Sequence, residues 1–224
     1  AKLEWANPTG SMKDRMALTA IARAEARGAL LQGGTVVEYT AGTTGISLAF
    51  VCAARGYGIE IVFSAAFSNE KRRTMQAFGA RITDVPSHNR GITRSLIKEM
   101  MATAEAISSR PGHWYCDQLN NHDAVAGYLP IGEELWRQTD GVVHAFVHSV
   151  STAHSIHGVT RALWGHNSKI RIVAVEPAES AVLSGGASGA HQIEGIGVGF
   201  IPSLWQPELV NDIVTVSSAD AKAM

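Results

Sequence analysis

The chain has 224 residues, 46% hydrophobic and 17% charged, which is typical of a folded protein large enough for one or two domains. The net charge of -1 gives no electrostatic reason to expect nucleic acid or an anionic membrane as a partner. Only two cysteines are present, Cys52 and Cys116, both in apolar or aromatic surroundings. Buried free thiols of this kind favour a reducing compartment, so we expect a cytoplasmic protein.

The beginning of the chain predicts a short strand, a turn and a helix. Residues 1–5 alternate between polar and apolar side chains as a strand does. Residues 7–10 contain a proline and a glycine that interrupt regular structure, and Ser11 is a candidate cap for a helix over residues 14–28. Lys13 then lies at the start of that helix, where the helix dipole is expected to lower its pKa and make the amine more nucleophilic.

Strands and helices alternate along the remainder of the chain. β-Branched and apolar runs predict strands over residues 35–38, 59–63, 81–85, 114–116, 142–147, 170–175 and 213–216. Helical periodicity predicts helices over residues 44–56, 69–78, 92–107, 126–138 and 156–163, with another starting at Ser218. This alternation predicts an α/β protein with parallel sheets covered by helices. We expect an N-terminal domain over residues 6–119 and a C-terminal domain over residues 120–224 together with 1–5.

Two of the predicted strands run directly into polar turns that begin helices. The first turn is Thr40-Ala41-Gly42-Thr43-Thr44-Gly45, and the second is Ser149-Val150-Ser151-Thr152-Ala153-His154-Ser155. A strand, a tight turn and a helix together place backbone N–H groups and hydroxyls at a helix N-terminus, where an anion can bind. Neither turn has the glycine pattern of a nicotinamide-binding unit.

The segment Asn7-Pro8-Thr9-Gly10-Ser11-Met12-Lys13-Asp14-Arg15 resembles the lysine segment of the fold-type II pyridoxal-phosphate enzymes. The resemblance is to the cysteine synthase and cystathionine β-synthase family in particular. It implies that Lys13 is the Schiff-base lysine of bound pyridoxal 5'-phosphate. It also implies a tryptophan synthase β-like fold with two three-layer α/β/α halves and mostly parallel sheets.

The same resemblance assigns further residues around the substrate and the cofactor. The first polar turn matches the family's loop for the substrate α-carboxylate, although Ala41 and Thr43 replace a serine and an asparagine. Thr43 would approach the phenolic oxygen of the cofactor. The residues implied to bind substrate are Thr40, Ala41, Gly42, Thr44, Gln118, Gly195, Ile196 and Gly197.

The resemblance is weakest at the cofactor phosphate. The family has Gly-Thr-Gly-Gly-Thr where this chain has Ser151, Thr152, Ala153, His154 and Ser155. Glycines let the backbone approach a phosphate closely, sometimes at positive φ. If the strained geometry is kept, each of the three replaced glycines is expected to cost about 1–3 kcal/mol.

The implied activity is a cysteine synthase-like β-replacement in amino-acid biosynthesis. An O-acetylserine-type amino acid would lose its β-substituent, and a sulfide or thiol would take its place. The resemblance also implies a homodimer. The family extends before Ala1 and beyond Ser218, so the chain corresponds to a fragment or a shortened member.

Three alternatives remain open from the sequence. The first is a non-catalytic relative with a degenerate phosphate cup that acts as a binding or regulatory protein. The second is a metal site formed by His148, His154 and His157, although no close carboxylate or cysteine accompanies them. The third is an acid–base pair formed by Glu176 and Glu194, which nothing in their spacing favours.

Overall fold

The computed structural model describes residues 1–87 and 93–224. The chain divides into two compact units, residues 1–124 and 125–224. Residues 1–5 belong to the first unit, whereas the sequence placed them with the C-terminal domain. No helix in the described part of the chain is both long enough and apolar enough to cross a lipid bilayer.

The first unit alternates strands and helices. Its strands are β1 (Thr35–Tyr39), β2 (Gly58–Phe63), β3 (Arg81–Asp84) and β4 (His113–Tyr115). Its helices are α1 (Lys13–Ala26), α2 (Thr43–Arg55), α3 (Asn69–Ala77) and α4 (Arg94–Ser108), and α5 (His122–Ala126) lies at the boundary between the units. The four strands form a parallel sheet in the order β3-β2-β1-β4.

Strand β1 lies inside this sheet and is buried on both faces. Its successive residues Val36 and Val37 are fully buried, as expected when helices cover both sides of a parallel sheet. The backbone N–H of Cys116 donates to the carbonyl of Val37 at 3.0 Å, so the chain after β4 stays beside β1. The carboxyl ends of these two strands therefore lie next to each other, which is where ligands bind in parallel sheets.

The second unit repeats the same local pattern. Its strands are β5 (Ala145–Ser149), β6 (Arg171–Pro177) and β7 (Asp212–Val216), and its helices are α6 (Leu129–Gln138), α7 (His154–His166) and α8 (Ser218–Ala223). The strands form a parallel sheet in the order β5-β6-β7. Ile172 and Ala174 of β6 are fully buried, whereas Val147 of β5 is 60% exposed. The predicted α/β class with parallel sheets is confirmed.

Three local predictions differ from the structure. The strand predicted over residues 1–5 is wrong, because this segment forms a 3₁₀ turn, Glu4–Ala6. The helix predicted over residues 126–138 is interrupted, and α6 begins at Leu129 with Pro130 in its first turn, where a missing N–H is tolerated. β5 begins at Ala145, later than the predicted start at residue 142. The predicted start of the fourth helix, Ile92, lies outside the described residues.

Candidate functional site

Lys13 is the first residue of α1. The hydroxyl of Ser11 accepts a hydrogen bond from the Lys13 backbone N–H at 3.0 Å. Ser11 therefore supports the start of the helix, although the helix-flanking residue itself is Met12, which makes no side-chain cap. This bond fixes the backbone from which the Lys13 side chain projects.

Thr9 and Asp14 close the turn around Lys13. Asp14, 8% exposed, accepts the Thr9 backbone N–H at 2.9 Å and the Thr9 hydroxyl at 2.5 Å. The Thr9 hydroxyl also lies 3.1 Å from the hydroxyl of Ser47 in α2. The lysine segment is thus attached to the helix that follows the Thr40 turn.

Glu4 anchors both ends of the same segment. Its carboxylate forms an ion pair with Arg15, with Nε to Oε2 at 2.7 Å, and it accepts a hydrogen bond from the Asn7 amide at 2.8 Å. Asn7 and Arg15 are the first and last residues of the segment that resembles the family. The 3₁₀ turn therefore places Glu4 where its carboxylate contacts both Asn7 and Arg15.

Burial lowers the pKa of Lys13 from its ordinary value of 10.5 to about 8. The direction agrees with the sequence expectation, and the cause is desolvation by burial. At pH 7 a lysine with this pKa is neutral in about one molecule in ten, against fewer than about one in a thousand for an ordinary lysine. The amine is therefore better suited to attack a carbonyl or to accept a proton.

The Thr40 turn presents a helix N-terminus. The Thr40 hydroxyl accepts the backbone N–H groups of Gly42 at 2.9 Å and Gly45 at 3.4 Å. Gly42 has φ +147°, and a Cβ there would overlap the Cδ atom of Lys71. α2 begins at the exposed Thr43, and Gly42 provides no side-chain cap. N–H groups at such a helix start can receive a carboxylate.

Gln118 lies beside this turn, as the resemblance implied. Its side-chain carbonyl accepts the Thr44 hydroxyl at 2.8 Å, and its side-chain amide donates to the Tyr39 carbonyl at 2.8 Å. The preceding residue, Asp117, has φ +48°, which is unusual for a residue other than glycine. The structure therefore brings Thr40, Thr44 and Gln118 together at the carboxyl ends of β1 and β4.

Glu38 is a residue of this site that the sequence did not indicate. It is fully buried, and its carboxylate accepts the backbone N–H groups of Tyr39 at 3.0 Å and Gln118 at 2.9 Å. Burial raises the pKa of Glu38 well above its usual range, and these two N–H groups oppose the rise. The one feature of the sequence that could have indicated Glu38 is its position as a single acidic residue in an apolar strand just before a polar turn.

The predicted phosphate cup lies at the N-terminus of α7. Thr152, Ala153, His154 and Ser155 are all at most 8% exposed, and no side chain caps the helix at Ala153. The Thr152 hydroxyl lies 2.9 Å from His154 Nδ1, and the Ser155 hydroxyl lies 2.7 Å from His148 Nε2. A buried, uncapped helix start with two hydroxyls beside it suits a phosphate, so the residues fit the cofactor phosphate.

The backbone of the cup keeps one strained position. Ala153 has φ +67°, and it is the only residue from 151 to 155 with positive φ. The expected strain at three replaced glycines is therefore wrong for Ser151 and His154. A left-handed conformation at one alanine costs about 1–2 kcal/mol.

The predicted Gly-Ile-Gly loop is attached to the end of β5. The Gly197 backbone N–H donates to the Val150 carbonyl at 3.0 Å, and the Gly197 carbonyl lies 3.1 Å from His191 Nε2. Gly195 and Gly197 have φ +84° and +65°, whereas Ile196 between them is half-buried. The second unit therefore brings this loop and the strand before the cup together.

The alternative chemical sites receive no support from the geometry. Across residues 1–87 and 93–224, no three side chains of the metal-ligating types lie close enough to hold a metal ion. Glu176 instead accepts the backbone N–H groups of Leu183 at 2.8 Å and Ser184 at 2.9 Å. Its visible role is to hold the loop that follows β6.

Comparison with known proteins identifies relatives over the whole chain. A family model described as "Pyridoxal-phosphate dependent enzyme" matches residues 1–224, which include the lysine segment, the Thr40 turn and the cup. The chain is 37% identical, over 225 aligned positions, to a protein named cysteine synthase from Staphylococcus aureus. That alignment covers 100% of this chain and 71% of the relative.

Solved structures show the same likeness in three dimensions. A crystal structure of O-ureido-L-serine synthase superimposes with a TM-score of 0.91 and 31% identity, covering 99% of this chain and 69% of the other. The O-acetyl serine sulfhydrylase isoform 3 of Entamoeba histolytica superimposes with a TM-score of 0.90 and 35% identity, covering 98% and 64%. The likeness therefore extends over both units of the chain.

Proposed function

Because the chain belongs to the pyridoxal-phosphate dependent enzymes of the cysteine synthase type, we propose that it replaces the β-substituent of an amino acid. The donor is a β-substituted L-amino acid of the O-acetylserine kind, and the acceptor is sulfide or a small thiol. The observation that carries the proposal concerns Lys13. Burial lowers its pKa to about 8, and hydrogen bonds of Thr9, Ser11 and Asp14 hold its backbone in place.

The residues proposed to bind the cofactor are Lys13 and those of the cup. Lys13 would bind its aldehyde carbon, and the α7 N-terminus with the hydroxyls of Thr152 and Ser155 would bind its phosphate. When bound, pyridoxal phosphate supplies an electron sink for the carbanion that forms when the substrate loses its Cα proton. Because Thr152 and Ser155 are buried, hydrogen bonds from their hydroxyls to the phosphate would meet little competition from water.

The Thr40 turn would bind the substrate carboxylate. Backbone N–H groups at the start of α2 and the remaining amide hydrogen of Gln118 are donors suited to a carboxylate. The bonds from Thr44 and to Tyr39 hold Gln118 in one orientation before substrate arrives. Such preorganisation reduces the entropy lost on binding.

Once the amino group of the substrate had displaced Lys13 from the cofactor, the freed Lys13 amine would also move the proton on Cα. A neutral lysine can accept a proton, and its lowered pKa makes that form accessible near neutral pH. Once protonated, the same amine can return a proton to Cα after the acceptor has added. One side chain can therefore serve as both base and acid in the two halves of the replacement.

A non-catalytic role is the second candidate, and Ala153 is the observation that favours it. Its positive φ retains a strain that glycine would avoid, as expected if selection for tight phosphate binding had been relaxed. In that case the chain keeps the fold and binds small molecules or another protein. Cofactor affinity separates the two candidates.

The test is titration of the full chain with pyridoxal phosphate. We expect a visible absorbance band, a borohydride-stabilised adduct that mass spectrometry places on Lys13, and a spectral change on adding O-acetylserine. Formation of cysteine after sulfide addition completes the test. Lys13→Ala should lose the adduct, whereas Lys169→Ala, at an exposed turn, should keep it. A wild-type chain that forms no adduct contradicts the proposal.

We further propose a cytoplasmic homodimer. The free, buried thiols of Cys52 and Cys116 support a reducing compartment, and family resemblance supports the dimer. Analytical ultracentrifugation measures the second point, and a concentration-independent monomer mass contradicts it. Localisation of a tagged chain by cell fractionation measures the first.

A further inference from the structure

Glu38 occupies a position where a carboxylate is costly. It lies at the end of β1 with 0% of its surface exposed, and desolvation of a buried carboxylate is unfavourable unless hydrogen bonds replace the lost water. Each of its two carboxylate oxygens accepts one such hydrogen bond. Oε1 accepts the Tyr39 backbone N–H at 3.0 Å, and Oε2 accepts the Gln118 backbone N–H at 2.9 Å.

These two hydrogen bonds belong to a small network of hydrogen bonds around Gln118. The backbone of Gln118 is held by Glu38, its side-chain amide donates to the Tyr39 carbonyl, and its side-chain carbonyl accepts from Thr44. The end of β1, the segment after β4 and the start of α2 are therefore joined through one glutamine. Removal of the Glu38 carboxylate breaks the bond to the Gln118 backbone N–H, whereas the Asp117 carbonyl of the same peptide keeps the N–H groups of Asn120 and Asn121.

The local backbone shows why this orientation needs support. Asp117, directly before Gln118, has φ +48°, a left-handed conformation that is uncommon outside glycine, although aspartate adopts it more often than most residues do. Strained residues persist where surrounding bonds hold them, and they occur often at ligand sites. On one side the Cys116 N–H donates to Val37 at 3.0 Å, and on the other Glu38 accepts the Gln118 N–H, so bonds to β1 flank the strained residue.

We propose that Glu38 is a positioning residue for the substrate carboxylate, because it fixes Gln118 against Thr44 and thereby sets the affinity for the amino-acid donor. This inference rests on the proposed function of the Thr40 turn. Glu38 lies behind the turn and does not touch substrate. Its effect on binding passes through Gln118, while its other oxygen holds the Tyr39 backbone N–H directly before Thr40.

Glu60 provides a matched control. It is also a buried glutamate of the same sheet, 3% exposed on β2 and paired in register with Val37 of β1. Its carboxylate accepts the Thr83 hydroxyl at 2.8 Å and lies 3.1 Å from Arg81. The same carboxylate lies 3.5 Å from Arg110 after α4, so Glu60→Gln disturbs a buried carboxylate whose side-chain partners are outside the Thr40 turn.

The experiment compares Glu38→Gln, Glu38→Asp and Glu60→Gln in the cofactor-loaded full chain. For Glu38→Gln and Glu38→Asp we expect the KM for O-acetylserine to rise about tenfold, which corresponds to the loss of one hydrogen bond. We expect kcat at saturating donor and the KM for sulfide to change less than about threefold. Calorimetry with an unreactive amino acid should show the same rise in dissociation constant. Glu60→Gln should leave all of these values unchanged.

The outcomes separate the two proposals. A wild-type chain that forms no cofactor adduct and no cysteine contradicts the proposed function. An active wild type whose two Glu38 variants keep the normal KM for the donor contradicts the positioning role alone. A fall in kcat and cofactor affinity at unchanged donor KM also contradicts it, since that pattern indicates a general structural role. Glu38→Asp keeps a carboxyl group on a shorter side chain, so it carries the test if Glu38→Gln does not fold.

Discussion

Thr9 and Asp14 are joined by two hydrogen bonds across the turn that carries Lys13, one from the Thr9 backbone N–H and one from its hydroxyl. The hydroxyl bond to Oδ1 measures 2.5 Å, and the acceptor residue is 8% exposed. Because the same hydroxyl reaches Ser47, the lysine segment and α2 share one polar contact. The orientation of Lys13 thus depends on Thr9, which takes no part in the proposed chemistry.

Thr9→Val tests this dependence because it keeps the shape of the side chain and removes the hydroxyl. We expect a loss of about 1–3 kcal/mol in the free energy of unfolding, since one buried carboxylate oxygen loses its donor. We also expect slower formation of the Lys13 adduct. Urea denaturation measures the first effect, and stopped-flow absorbance measures the second. Thr103→Val on α4, where the hydroxyl donates to the Glu99 carbonyl, is the control and should show neither effect.

Ala153→Gly should stabilise the cup. Glycine adopts positive φ without the steric penalty that alanine has there, so we expect a gain of about 1 kcal/mol in unfolding free energy, together with tighter cofactor binding. Ser151→Gly is the comparison, because Ser151 does not have a positive φ and gains no such relief. Thermal unfolding and cofactor titration measure both quantities. If both variants destabilise the chain equally, the positive φ of Ala153 is not a source of strain that glycine relieves.

Gly42→Ala should damage the Thr40 turn through a steric overlap with Lys71. We expect weaker amino-acid binding and a loss of about 1–3 kcal/mol in stability. Gly56→Ala separates the causes, because Gly56 also has positive φ, +77°, but a Cβ added there would meet no described atom within 4 Å. Shortening Lys71 to alanine in the Gly42→Ala background should recover part of the binding. No recovery assigns the defect to backbone conformation.

Stability of the cofactor-free chain should depend on pH through Lys13. Its folded pKa of about 8 lies below its ordinary value of 10.5, so between these pH values the unfolded state binds more protons. Stability therefore rises with pH across this window, by at most about 3 kcal/mol from this group. Lys13→Met should remove that part of the rise, and Lys169→Met should retain it. Urea denaturation at about pH 7.5, 9 and 10.5 provides the measurement.

The parts of the fold that follow from local chemistry were predictable. A β-branched run became β1, and a periodic apolar run closed by Gly56 became α2. The short alternation at residues 1–5 failed because Glu4 instead turns to meet Arg15, a contact that periodicity does not encode. The interrupted helix before Gln138 reflects Pro130, whose cost depends on its position within the helix.

The site was predictable to the extent that its residues share a motif. Lys13, Thr44 and Gln118 were found by resemblance, and the structure adds the bonds that link the last two. Glu38 was missed because its role depends on contact with a residue 80 positions away. Backbone angles were also needed to show that Ala153 is the one strained position of the cup, since the residue types alone suggested three strained positions.

Lys13 differs from the two cysteines in its expected reactivity toward covalent reagents. Burial raises the pKa of Cys52 to about 12, and Cys116 is buried as well, so neither thiol supplies the thiolate that alkylating probes need. Lys13, by contrast, supplies a neutral amine at mildly alkaline pH. Acylation of the purified chain with an amine-directed probe, followed by peptide mass spectrometry, would therefore report whether Lys13 is already bonded to the cofactor.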